Sequence, residues 1–89
     1  MLWQKPKAFV ALNNIGIGAR AISGRAYPND AIIEIKVERS GQVIFTGTPR
    51  LQELKFEQAL NFALKEDDEV IARVTAHGFK SYEYSTSAY

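Results

Sequence analysis

The stretch Ala31-Ile32-Ile33-Glu34-Ile35-Lys36-Val37-Glu38 alternates apolar and charged side chains. Ile33, Ile35 and Val37 fall on one face of an extended chain, and Glu34, Lys36 and Glu38 on the other. A period of two is the pattern of a strand with one face in a core and the other in water. Immediately after it, Arg39-Ser40-Gly41-Gln42 forms a tight turn, and Val43-Ile44-Phe45-Thr46 returns as the partner strand of a hairpin. Immediately before it, Tyr27-Pro28-Asn29-Asp30 is a turn cluster.

The same alternation of apolar segments and turn signals extends in both directions. Phe9-Val10-Ala11-Leu12, between Pro6 and Asn13-Asn14, is a first strand. Asn14-Ile15-Gly16-Ile17-Gly18 is a flexible crossing, and Ala21-Ile22-Ser23 is a short strand closed by Gly24. Downstream, Glu66-Asp67-Asp68-Glu69 is an acidic turn leading into the strand Val70–Ala76, with Val70, Ala72, Val74 and Ala76 inward. His77-Gly78-Phe79-Lys80 turns the chain into a last strand, Ser81–Thr86, with Tyr82 and Tyr84 on one face.

Residues 48–65 admit two readings. Thr48-Pro49 suits a helix start, and Gln52, Glu53, Leu54, Ala59, Leu60, Ala63 and Leu64 favour helix. Yet Leu54, Phe56, Leu60, Phe62 and Leu64 all fall on even positions. This favours a strand around Leu54–Leu60, followed by a loop or a single helical turn at 61–66. About seven short strands at this spacing indicate an all-β sandwich or small barrel, with the immunoglobulin-like sandwich as the expected fold class.

Eighty-nine residues allow one domain, with residues 1–7 as an N-terminal extension or linker. Its stability should be on the order of 5 kcal/mol. A chain 46% hydrophobic and 24% charged is neither a disordered tail nor a coiled coil. A net charge of +1 argues against nucleic acid as a partner held through phosphate contacts. Charge is nonetheless uneven, since Lys5, Lys7, Arg20 and Arg25 face only Asp30 within residues 1–30. With no cysteine there is neither a disulfide nor a thiolate metal site. No apolar run approaches 18 residues, so membrane insertion is not expected. The segment Met1–Lys7 lacks the apolar stretch of a signal peptide.

Ile22-Ser23-Gly24-Arg25-Ala26-Tyr27-Pro28-Asn29-Asp30-Ala31-Ile32-Ile33 resembles the opening of bacterial immunoglobulin-like repeats, which carry I-S/T-G-x-A-x-P-N/G-A-x-I/V before a long strand. Leu64–Val70 and Thr75–Ser81 are similar to the endings of those repeats, L-x-x-G-D-x-V and T-A-x-x-x-G-N-x-S. The resemblance spans roughly residues 20–86. It departs at Asp67, where a turn glycine is usual, and at His77-Gly78-Phe79, which replaces an Asp-x-x-Gly-Asn turn. A weaker likeness is to PEGA-type surface domains, through Gly47-Thr48-Pro49 and Gly78-Phe79-Lys80-Ser81-Tyr82. Both resemblances imply a non-catalytic module of a bacterial cell surface, extracellular protein or virion. Its role would be spacing, decoration or adhesion, with a protein partner or neighbouring domains and subunits.

Patterns that could carry chemistry have plainer explanations. Gly16-Ile17-Gly18-Ala19-Arg20-Ala21 matches a dinucleotide loop, but Ser23-Gly24 and Pro28 break the helix that would have to come after it. The run Glu66–Glu69 is where clustered carboxylates could hold calcium; it reads as a solvated turn, and no cofactor is expected. His77 is the one histidine, too few for a zinc site and without an ordering partner for a serine nucleophile. Glu34 and Glu38 read as open sheet surface rather than an acid/base pair. The aromatics are more informative. Trp3, Tyr27, Phe79, Tyr82, Tyr84 and Tyr89 lie near termini and turns and form the expected contact patch. A glycan is the alternative occupant, making the chain a carbohydrate-binding accessory domain.

Overall fold

The computed structural model describes residues 5–89. Its strands are β1 (Phe9–Leu12), β2 (Ala21–Tyr27), β3 (Ile32–Arg39), β4 (Gln42–Gly47), β5 (Lys55–Ala59), β6 (Glu69–Thr75) and β7 (Tyr82–Ser87). They form two antiparallel sheets, β1-β2-β5 and β4-β3-β6-β7. Pairing β2 with β5 in one sheet and β3 with β6 in the other is the arrangement of an immunoglobulin-like sandwich.

The alternation read in the sequence becomes the core. Ile33, Ile35 and Val37 of β3 face Val70, Ala72 and Val74 of β6, all fully buried. Ile22 and Ala26 of β2 and Val10 of β1 supply the opposing layer. Glu34 and Lys36 point outward, as expected, and Glu38 is half-buried. Ala76, expected inward, lies just past β6 and is only partly buried.

Gly24 does not close a short strand. β2 runs through it to Tyr27, with Gly24 paired to Leu12 on one side and Phe56 on the other. A Cβ at this position would overlap the Ala11 carbonyl oxygen and sit 2.9 Å from the Phe56 ring. The glycine is thus a point of close approach between the neighbouring strands of its own sheet rather than a terminator.

The β3–β4 turn has positive φ at both central residues, Ser40 (53°) and Gly41 (80°). That is the type I′ geometry of a two-residue hairpin, whose twist matches the flanking strands. Further along, Val37 pairs with Phe45 and Glu38 with Val43, so Ile44 is an extra residue in a β-bulge. The bulge leaves Val43 and Ile44 exposed while Phe45 turns inward, edge-on to Phe62 at 6.0 Å.

Residues 48–65 contain the expected strand, as Lys55–Ala59, and no full helix; of the two readings of 61–66, the structure has the loop and not the single helical turn. The amides explain why. Leu60 N–H donates to Arg20 O (2.9 Å) and Leu64 N–H to Ala19 O (2.9 Å), so the segment bonds across to the β1–β2 loop instead of to itself. Leu60 and Leu64 are buried by that docking.

Tracing the registers gives the molecule two poles. At one, β1 begins, residues 28–31 join β2 to β3, and residues 76–81 join β6 to β7. At the other lie the Ser40-Gly41 turn, the 60–68 loop and residues 88–89. The principal extents are 48 × 26 × 18 Å. Both ends of the described chain are tied down. Lys80 N–H donates to Pro6 O and Ala8 N–H to Lys80 O, each at 2.9 Å, while Ile17 N–H donates to Tyr89 O at 3.1 Å.

Candidate functional site

The aromatic surface is built at the first pole. Phe9 is the cross-strand partner of Tyr27, and neighbours of that kind share a face. Behind them Val10 and Ala26 point into the core. Lys7 and Lys80 form a parallel bridge. It aligns the start of β1 with the start of β7 and brings the Phe9 and Tyr82 rings to 5.9 Å with planes 19° apart. At that separation near-parallel rings must be offset, which leaves part of each face free. Phe79, in the turn before β7, meets Tyr27 edge-on at 5.9 Å. Phe9 and Tyr27 are each 51% exposed, and Tyr82 is 36% exposed.

The structure therefore gathers Tyr27, Phe79 and Tyr82 from the expected patch. Tyr84 stands two residues along β7, 39% exposed. Tyr89 is not part of it. It sits at the opposite pole, 71% exposed, where its hydroxyl donates to Asn14 Oδ1 at 3.3 Å. Trp3 lies outside the described residues. Phe9 belongs to the patch and was missed. Within Phe9-Val10-Ala11-Leu12 four apolar residues in a row do not say which pair faces inward, and the pairing of Val10 with buried Ala26 on β2 decides it.

The acidic turn is more than a solvated turn. Asp68 is buried, at 1% exposure. Arg39 Nε donates to its Oδ1 at 2.8 Å and Nη2 to its Oδ2 at 2.7 Å, a two-pronged ion pair. Lys65 N–H donates to Oδ2 at 2.8 Å, and Ala88 N–H donates to the Asp68 carbonyl at 2.9 Å. The bonds from Arg39 hold the Asp68 carboxyl below the usual carboxylate range, with the Lys65 amide adding to them against the opposing effect of burial. Arg39 is held further toward its charged form by the same bonds. Its guanidinium also lies 5.7 Å from the centre of the Phe62 ring. Asp68 thus staples the end of β3, the 60–68 loop and the C-terminal segment together. Its oxygens are committed to that task, and no group of three or more metal-ligating side chains occurs among the described residues.

The glycine pattern at 16–21 is a turn. Ala19 N–H donates to Gly16 O at 3.1 Å, with Gly18 at φ +90°, the positive value that the third position of a type II turn needs. The amides of Ile17 and Gly18 are spent on Tyr89 O and Leu64 O, and strand β2 comes next instead of a helix. His77 is exposed in the β6–β7 turn. On the open face of the larger sheet, a shallow concavity of about 620 Å³ is lined by Glu34, Lys36, Arg73 and Glu83. Glu34 pairs across strands with Arg73, and Arg73 with Glu83, which makes an alternating row of charge on a wetted surface.

No family model matches the chain, and no curated protein matches it in sequence. Solved structures do match it in shape. The Arg-specific cysteine proteinase gingipain R superposes with a TM-score of 0.70 at 15% identity, over 96% of this chain and 19% of that one. A complex of the pro- and mature domains of the Porphyromonas gingivalis enzyme gives 0.68 at 16% identity, over 96% and 19%. What they share with this chain is the fold. A structure described as that of a protease gives 0.63 at 10% identity, over 94% and 18%. This chain spans about one fifth of the length of each of these proteins.

Proposed function

We propose that the chain is a non-catalytic structural and interaction module of a bacterial cell-surface or exported protein, acting as a spacer between neighbouring domains. One observation carries the proposal: the described chain starts at one pole of an elongated sandwich and leaves at the other, with residues 6–8 and residue 89 hydrogen-bonded in place. A module built this way holds its two neighbours apart, and two backbone bonds between residues 6–8 and Lys80 tie its entering segment to the strand that leaves. The likeness to about a fifth of gingipain R supports the same view, because there the fold is a part of a larger enzyme chain. The bonding of Asp68 to Arg39 supports it further, since the most deeply placed carboxylate serves the structure.

The test is surface accessibility in the source organism. Antibody raised against the folded domain should label intact cells, and brief protease treatment of those cells should remove the signal. Labelling only after lysis would contradict the proposal.

A further inference from the structure

Three segments lie side by side at the first pole, and each carries a cation two residues from a ring: Lys7 with Phe9, Lys80 with Tyr82, and Arg25 with Tyr27. Residues two apart in an extended chain project to the same side. Because the Lys7–Lys80 bridge is parallel, both lysines precede both rings, and the rings stack. Tyr27 continues the row from Phe9 across the β1–β2 pair. Arg25 lies farther along β2, opposite Ala11, so the row of rings has cations on both flanks. All three cations are exposed, and none is ion-paired with a described residue. The carboxylates of this pole, Asp30 and Glu53, sit in the turns beside the row, and Glu83 alternates to the opposite face of β7 from Tyr82.

Open ring faces flanked by cations fit a ligand that is itself a row of rings with negative groups at its edge. We propose that this face binds an acidic polysaccharide. The C–H faces of its pyranose units lie on Phe9, Tyr27 and Tyr82, and its carboxylate or sulfate groups meet Lys7, Lys80 and Arg25. The negative face of an aromatic ring attracts polarised C–H groups, and the flanking ammonium and guanidinium groups attract the anions. Three cations in a chain of net charge +1 are too few for the many phosphate contacts on which nucleic-acid binding rests. This surface does not depend on the spacer role and is tested separately from it.

The test is affinity electrophoresis of the purified chain through gels containing polygalacturonate, dextran sulfate or neutral dextran. An oligodeoxythymidylate serves as a competing probe. Retardation by polygalacturonate or dextran sulfate is expected, weakening as salt is raised, with none in neutral dextran. Tyr82→Ser should weaken binding about tenfold. The double variant Lys7→Gln/Lys80→Gln, which leaves the rings and core untouched, should weaken it by a similar factor and flatten the salt dependence. Circular dichroism checks that each variant is folded. The proposal is overturned by passage through both acidic gels without retardation, or by equal retardation of the folded lysine variant. Tighter binding of the oligodeoxythymidylate than of either acidic polysaccharide also overturns it and assigns the face to single-stranded nucleic acid.

Discussion

Asp68 is the residue on which most of the second pole converges. Its carboxyl is held below its ordinary range by Arg39, so its contribution to stability is present above about pH 4 and is lost as pH falls through the lowered value. Asp68→Asn should lower Tm at pH 7 on the order of 5–10 °C, and the gap from wild type should narrow progressively as pH is taken from 7 to below about 4. Thermal melts across that range check it, and a gap that stays constant with pH would remove the charge from the explanation. Gly24 is the second such position. Gly24→Ala should cost about 2–3 kcal/mol, because the added methyl meets backbone on one side and a buried ring on the other. Urea titration would show it as a fall in the midpoint. Neither residue was legible in the sequence. Asp68 stands in a run of four acids with nothing to distinguish it, and its partner is 29 positions away. Gly24 looks like any strand-ending glycine until β1 and Phe56 close over it.

At the scale of elements, local chemistry carried further. The hairpin around Ser40-Gly41 arises from the alternation of β3 and from a turn that accepts two positive φ values. Asparagine tolerates that region better than serine, so Ser40→Asn should raise stability by about 0.5 kcal/mol, read as a Tm gain of about 2–4 °C. An unchanged or lower Tm would contradict the turn assignment. β3 and β6 were readable because each buries one face completely. Residues 61–66 were readable only as a loop or a helical turn, because the helical spacing of Leu60 and Leu64 is satisfied by docking onto residues 19–20, a contact no local pattern reports. The aromatic surface was readable by half. Tyr27, Phe79 and Tyr82 sit near turns and stand out, whereas Phe9 joins them through two long-range pairings, with Tyr27 across β1–β2 and with Tyr82 beside the bridge of residue 7 to residue 80.

For the whole molecule, the decisive property is where the chain enters and leaves. Lys7 lies beside Lys80, and nine residue steps of largely extended chain lead from Lys80 to Tyr89, which places the two ends about 30 Å apart. The chain has no cysteine, so Lys7→Cys and Tyr89→Cys provide two clean labelling positions. Pulsed electron-spin distance measurement between them should give a single distribution centred at about 30 Å. A broad distribution, or one centred far shorter, would mean that the sandwich does not separate its ends. A module with this geometry is useful when something is attached at each end, which is the central claim. The most direct check is the intact mass of the native product in its source, taken by immunoblot and mass spectrometry. A mass several times that of 89 residues is the predicted result. A mature product no larger than this chain would contradict the spacer role.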